Sequence, residues 1–473
     1  MVPADQGGGM MRADLLADRV DGLDEALAAV DGFDQALAGG LLRPRPDQAA
    51  GLAGLAAAVA GSPLAARVAE AADKAAAGTA GEDHLVALAA ARTALLGSAH
   101  DALTALAEQA TGRPCGEWTA PRAAADRQPA NVLAAARSWL SDLARCGWRG
   151  IDHDLVSGAA QVVSALLQDP ALRRPAALLD GFAAELAASC PGAALERVPA
   201  RRWGDLWSRA MLLTLPGAAD VPATGEATGR LLPLGVDLQE HATAVQAQVH
   251  AVFEPADGAA PLLVRAGVSA PKPDTVVGAG LWQLLRPHMS LLAAVSEGRS
   301  MDLVGMPVTA EGDLLWSDAH ARQGEPADAF STARVALPTA TGPATAPLDR
   351  HPARIAVPVF IEGYTAEEDG EGLAFTVAGQ RLAVDTDRIP AAGPLTPEAV
   401  AASVACIGLL RWDAGAFGVQ PLAVETTVRK KPVAVQSGAW AGGTADKAGV
   451  KAEKAATDAA AVLRERAGRL LRK

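Results

Sequence analysis

The spacing of apolar side chains changes once along this chain, and the change divides it in two. From Arg12 to Leu213 apolar residues recur at intervals of three and four, interrupted by recognisable caps, which predicts seven or eight helices. Asp47 can cap a helix over 47–60, and Ser62-Pro63 supplies an N-cap and first helical position for the next, ending near Gly78. A long helix is predicted over 82–111, with Leu85, Ala89, Leu95, Leu103 and Leu106 on its apolar side. Further helices are predicted at 130–145, 152–167, 175–190 and 199–213, each short enough to need neighbours for stability.

After about position 220 the period becomes two. Val245, Ala247, Val249, Ala251 and Phe253 alternate with Gln246, Gln248, His250 and Val252, as in a half-buried strand. Similar strands are predicted at 231–238, 262–269, 303–308, 313–316, 333–337, 354–364, 373–378, 380–386 and 417–428. Gly312 and Ala378-Gly379 offer tight turns, an acidic loop over 367–372 joins the strands around it, and Pro358 marks an edge or bulge. One helix is expected over 396–409, capped by Thr396 with Pro397 behind it. The segments 321–328 and 339–352, rich in Pro, Ala and Gly, read as loops. Helices followed by strands exclude a doubly wound sheet. The expected fold is α then β: an N-terminal all-α array or bundle over 12–213, a linker over 214–229, a β-barrel-like or bent β-sandwich domain over 230–435, and a Gly-rich linker and basic tail helix over 436–473. Residues 1–11 read as a disordered leader.

Composition adds a packing constraint. Half the residues are hydrophobic but only 4% are aromatic, so close backbone approach must supply much of the packing. One Tyr, one Asn, five Ile and eight Lys beside abundant Ala, Gly, Pro and Arg point to a GC-rich, bacterial coding sequence. The tandem similarity of 20–29 and 30–39 reads as a local duplication on a surface helix; it lacks the alternating acids of a calcium loop. Four cysteines without a C-x-x-C pair support neither a zinc ribbon nor a disulfide framework, and there is no secretory signal or strong apolar span. A reducing cytoplasm is the consistent expectation.

Charge is unevenly placed. The total is −12; residues 1–215 hold 19 basic and 25 acidic groups, 216–427 hold 12 and 25, and 428–473 hold 11 and 4. A basic arm, with Lys430 and Lys431 at its start and Arg464, Arg466 and Arg469 near its end, is attached to an acidic body. Such a tail can pack on its own chain, dock a protein partner, or meet nucleic acid or an anionic surface.

Candidate chemistry is sparse. Trp203 and Trp207 lie one helical turn apart beside Arg202 and Arg209, either anchoring the last helix of the array or forming a binding hot spot. His100-Asp101 and His153-Asp154 invite comparison with all-helical metal phosphohydrolases that use a His-Asp pair, but such sites need a further His upstream and an Asp downstream on one ion, His84 lies too near His100 for that, and Asp152 and Asp154 suit a helix start. The residues Gly278-Ala279-Gly280 lack a third glycine, and the stretch from Gly267 to Pro271 misses a nucleophile elbow by its closing glycine. Lys272 and Asp274 read as a turn with a possible substrate contact, the acids at 367–371 as a solvated turn, and His241 and His250 fall on opposite strand faces. No catalytic, metal or cofactor residues are assigned. The expected function is a non-catalytic cytoplasmic interaction or scaffold subunit of a multi-protein assembly. The alternatives are an enzyme with a scattered-residue site in the β domain or interdomain cleft, and nucleic-acid association through the tail.

Overall fold

The computed structural model describes residues 11–118, 130–218, 224–241, 244–273, 276–370, 372–443 and 447–470; some side chains within them, including those of Arg464, Arg466 and Arg469, lie outside the description. The chain is α then β. Helices α1 (Leu23–Gly39), α2 (Pro46–Ala58), α3 (Ala65–Ala76), α4 (Glu82–Thr111), α5 (Ala130–Cys146), α6 (His153–Ser157), α7 (Ala159–Leu166), α8 (Arg173–Ala188) and α9 (Ala200–Leu213) form the first part. The predicted helix over 152–167 is divided at Gly158, with Asp152 accepting the Leu155 N–H at 2.8 Å as its cap.

Scarce aromatics are pooled here. Trp148 meets Phe182 and Trp203 edge-on, at ring separations of 6.0 and 5.8 Å, and Phe33 lies 6.3 Å from Trp207. Elsewhere backbones touch directly: a Cβ on Gly51 of α2 would fall 2.4 Å from the Gly32 carbonyl of α1. The duplicated segment forms one helix from Leu23 that stays at the surface through its first copy, where no residue of 20–29 is buried, and enters the core in its second, where Val30, Phe33, Asp34 and Leu37 are buried. Gly32 lies at the crossing point, but it is Gly51 that has no room for a side chain, since a Cβ on Gly32 would lie 3.4 Å from the Gly51 Cα.

The second part contains β1 (Thr224–Glu240), β2 (Ala244–Pro255), β3 (Leu262–Pro271), α10 (Gly280–Leu284), α11 (Met289–Glu297), β4 (Arg299–Thr309), β5 (Asp313–Leu314), β6 (Ala321–Pro326) and α12 (Ala329–Val335). These are followed by β7 (Val357–Glu362), β8 (Thr365–Asp369), β9 (Gly372–Val377), β10 (Gln380–Val384), α13 (Pro397–Ala401), β11 (Ser403–Asp413), β12 (Ala416–Val428), β13 (Lys431–Gln436) and α14 (Lys447–Leu470). One sheet has the order β1-β2-β3-β5-β4-β6, and β1 also pairs with β4, so it bends back on itself. The other has the order β7-β11-β12-β10-β9-β8, with β13 added beside β12.

Several segments differ from the expected elements. The first strand starts at Thr224, inside the stretch that reads as a linker. Residues 329–335 are helical where a strand was expected at 333–337, because Asp328 accepts the Ser331 N–H at 2.7 Å and nucleates the turn. Thr396 does cap α13, but the helix stops at Ala401 and the rest of 396–409 enters β11, a strand paired on both sides and buried along most of its length. A strand covered on both faces reads as a continuous apolar run and mimics a helix. Segment 321–328 contributes the exposed edge strand β6, and the acids at 367–369 belong to β8. Residues 437–443, expected as a Gly-rich linker, are docked: Ser437 Oγ donates to the Val236 carbonyl at 2.7 Å, and Trp440 and Ala441 join the core of the first sheet. Met11, expected within the leader, is buried; residues 1–10 lie outside the described residues.

Four packing centres follow from this order. The helical core occupies the first part, and the inner apolar face of the first sheet closes on α10, α11 and Trp440. The last two turns of α4, through Leu103, Ala107 and Ala110, cross over to pack on the second sheet. A fourth cluster, with Leu234, Val252, Phe330 and Ile407, lies between the sheets and is plugged by α12. Helix α4 is thus shared by both parts, and beside it the sheets separate around a cleft.

Candidate functional site

The cleft has a volume of about 1010 Å³ and draws its walls from both parts of the chain. Alternation in the first sheet explains its polarity. While Val249, Ala247 and Val236 face the apolar core, Asp237 of β1, Gln246 and Gln248 of β2 and Arg265 of β3 point the other way, toward the cleft. His250 continues the β2 row, paired in register with Gly235 on one side and Arg265 on the other.

Asp237 is the centre of this polar face. Its carboxylate accepts from Gln420 Nε2 at 2.8 Å, Arg411 Nη2 at 3.0 Å and Gln239 Nε2 at 2.9 Å, and Arg411 Nε donates to Gln420 Oε1 at 2.9 Å, so the network bridges the two sheets. Burial, then the cations Arg265 and Arg411, push the His250 imidazole down to about 3, against the pull of Asp237. His250 is therefore neutral across the physiological range, and its Nε2 is buried without a partner. Arg265 donates to Asp313 Oδ2 at 2.9 Å and the Glu311 carbonyl at 3.0 Å. Burial raises both the Glu311 and Asp313 carboxyls, and Asp349 adds to each shift.

The opposite wall comes from α4 and the segment 342–358. His100 Nδ1 lies 3.1 Å from Asp101 Oδ1, and Asp101 Oδ2 accepts from Arg350 at 2.9 Å. Burial lowers the His100 pKa, against its Asp101 partner. His100 and Thr104 share one face of α4, and Cys115 follows just beyond the helix. Burial, with a hydrogen bond to Glu108, pushes the Cys115 thiol up to about 12, which keeps it protonated and a poor nucleophile. Asp349, paired with Arg174 at 3.0 Å and with Arg354, ties the segment to the helices.

The sequence-predicted residues belong to separate elements. Trp203 and Trp207 are packed inside the helical core, where Trp207 Nε1 donates to the Leu140 carbonyl at 2.8 Å, so neither indole is offered to a partner by the folded chain. Arg209 pairs with Asp205 at 2.7 Å, and Arg202 pairs on the surface with Glu185. Lys430 and Lys431 are exposed around the β12–β13 turn, where Arg429 and Lys430 hold φ of 51° and 63°. Helix α14 rests beside α10, with Gln283 Nε2 3.2 Å from Thr457 Oγ1. Lys272, read as a turn with a substrate contact, is buried and pairs with Glu240 at 3.2 Å; Asp274 lies outside the described residues.

The cleft itself was not legible as a set of residues. Its members are spread from His100 to Arg411, and only the alternation of Gln246, Gln248 and His250 signals a polar strand face. Among the described residues no three His, Cys, Asp or Glu side chains are grouped to hold a metal ion, and no helix is long and apolar enough to cross a membrane. All four cysteines are free. No family model, curated protein or solved structure matches the chain.

Proposed function

We propose that the chain is a non-catalytic interaction subunit of a multi-protein assembly in a reducing compartment such as the cytoplasm, and that the cleft receives a polar segment of its partner. The observation that carries this reading is the cleft wall around Asp237, where carboxylate, guanidinium and amide groups are held by one another before any guest arrives. A wall already ordered loses little side-chain freedom on binding, which favours recognition. The volume of about 1010 Å³ is at the upper end of small-molecule pockets and suits a chain segment. Four free thiols fit a reducing compartment.

The test separates the cleft from the tail. Arg388→Glu reverses a charge on the cleft wall, and removal of 447–473 deletes the terminal helix. Proteins that co-purify with the wild-type chain from its own cells are expected to be lost with Arg388→Glu and kept by the tail deletion. Retention by the cleft variant overturns the reading, and loss with the tail deletion alone moves recognition to the basic arm.

A second reading, an enzyme using the same cleft, is favoured by His100. Its ring is neutral, oriented by Asp101 and placed on the cleft wall, as a general base requires. Turnover of any member of a panel of esters, phosphoesters and peptides by the wild type, abolished in His100→Gln, selects this reading over the first.

A further inference from the structure

Behind the cleft wall, among the described residues, one buried cation has no counter-charge. Arg113, just past the end of α4, is 6% exposed. Its guanidinium donates to the Pro358 carbonyl on the edge strand β7 and, at 3.5 Å, to the Leu337 carbonyl, and among the described residues no carboxylate pairs with it. Arg92, the other buried arginine among the described residues, is held by Asp34 through two hydrogen bonds of 2.7 and 2.9 Å. Burial pushes the Arg113 guanidinium down to about 10, so it still carries its charge at neutral pH. A guanidinium has five N–H donors, and the Pro358 and Leu337 carbonyls take up one from each terminal nitrogen, which leaves donors for a guest. A buried charge without an opposite charge is costly, and an anionic guest removes that cost.

Arg113 lines a separate pocket of about 220 Å³, whose other walls include Leu337, Val359, Ile361 and Val377. We propose that this pocket binds a small aliphatic monocarboxylate, its carboxylate on the Arg113 guanidinium and its chain against Leu337, Val359 and Ile361. The planar guanidinium fork matches a carboxylate in bidentate fashion. Arg334, also on the pocket wall, does not compete for the anion, since it already pairs with Glu362 at 3.3 Å and Glu425 at 2.9 Å and lies over the Phe360 ring. With Arg334 and Glu362 paired to each other, Arg113 is, among the described residues, the one guanidinium on this wall left for an anion, which matches a monoanion better than a dicarboxylate. The volume is below the usual range for drug-sized ligands and suits a short chain.

The test is calorimetric titration of the full-length protein with hexanoate, hexanamide and a tripeptide with a free C-terminus. Hexanoate is expected to bind and raise the melting temperature, while the neutral amide does neither. Arg113→Met and Thr111→Trp, the latter a half-buried position on the pocket wall, are each expected to weaken hexanoate at least about tenfold. Should Arg113→Met fail to fold, Thr111→Trp and the acid–amide contrast still decide. No binding of hexanoate, equal binding of the amide, or unchanged affinity in folded variants overturns the proposal. So does binding of the tripeptide without hexanoate, which would assign the pocket to a protein C-terminus.

Discussion

Asp34–Arg92 in the helical part and Asp237–Arg411 between the sheets are both aspartate–arginine pairs withdrawn from water, but their surroundings differ. The first is sealed, with side chains 1% and 2% exposed. A Cβ on Gly204 would fall 2.4 Å from Asp34 Oδ1, so a glycine is required where α9 crosses the pair. Arg92 also donates to the Arg201 carbonyl at 3.1 Å, joining α1, α4 and α9 at one point. The second pair borders a cleft, is 5% and 14% exposed, and shares its aspartate with two glutamines. A sealed pair braces helices against one another, whereas a pair on a cavity wall can also present its charge to a guest.

The largest expected effect comes from breaking the sealed pair. Arg92→Leu leaves the Asp34 carboxylate buried without its cation, and the cost is expected to be about 3–5 kcal/mol in urea denaturation. A loss below about 1 kcal/mol would mean that Asp34 finds water or another donor, and the contrast between the two pairs would fail.

Next in size is the response to acid. Burial holds His250 at about 3 and His351 at about 4 in the folded chain, both below the ordinary value of 6.5. The unfolded chain therefore takes up more protons below pH 6.5, and stability falls as pH falls through that window. The slope is about 1.4 kcal/mol per pH unit for each histidine, until His351 begins to protonate near pH 4. Asp34 acts oppositely. Burial raises it from 3.8 to about 6 against the pull of Arg92, so below pH 6 the folded state gains a proton first and offsets about one histidine's share. Denaturation midpoints are expected to fall from pH 6.5 to 6 and then more gently, with the early slope reduced by one histidine's share in His351→Asn, since His100, also lowered by burial, adds to it in both. Flat stability between pH 7 and 5 would show that these histidines titrate as if exposed.

Local signals in the sequence carried most of the helical part, because caps and three-to-four spacing act within one element. Glu82 and Thr111 bound α4 as its periodicity predicts, and Asp152 and Thr396 cap as their residue type favours. Local signals failed where burial on two faces erased the alternation, as in β11, and where one cap outweighed a weak strand pattern, as in α12. The site was harder to see because its contacts are distant: 174 positions separate Asp237 from Arg411, and 58 separate Asp34 from Arg92. His100-Asp101 is visible as a pair, but its role depends on Arg350, brought in from 249 positions away. Nothing in residue order announces that Arg113 ends beside carbonyls and not beside an acid.

The smallest expected effect tests the cleft side of the comparison. Arg411→Met removes the cation from Asp237 but leaves Gln420 Nε2 and Gln239 Nε2 donating to it, on a wall open to the cleft. Arg411 gives up its bonds to Asp237 and to Gln420, but on a wall where cleft water can replace it, so the loss is expected to be about 1.5–3 kcal/mol, under the cost at Arg92. Measuring both variants under the same denaturation conditions makes the ratio the result. Equal losses would mean that the cleft pair is as sealed as the helical one and has no charge to spare for a partner. A small loss of stability accompanied by loss of the co-purifying proteins would place the Arg411 guanidinium in recognition and not in bracing.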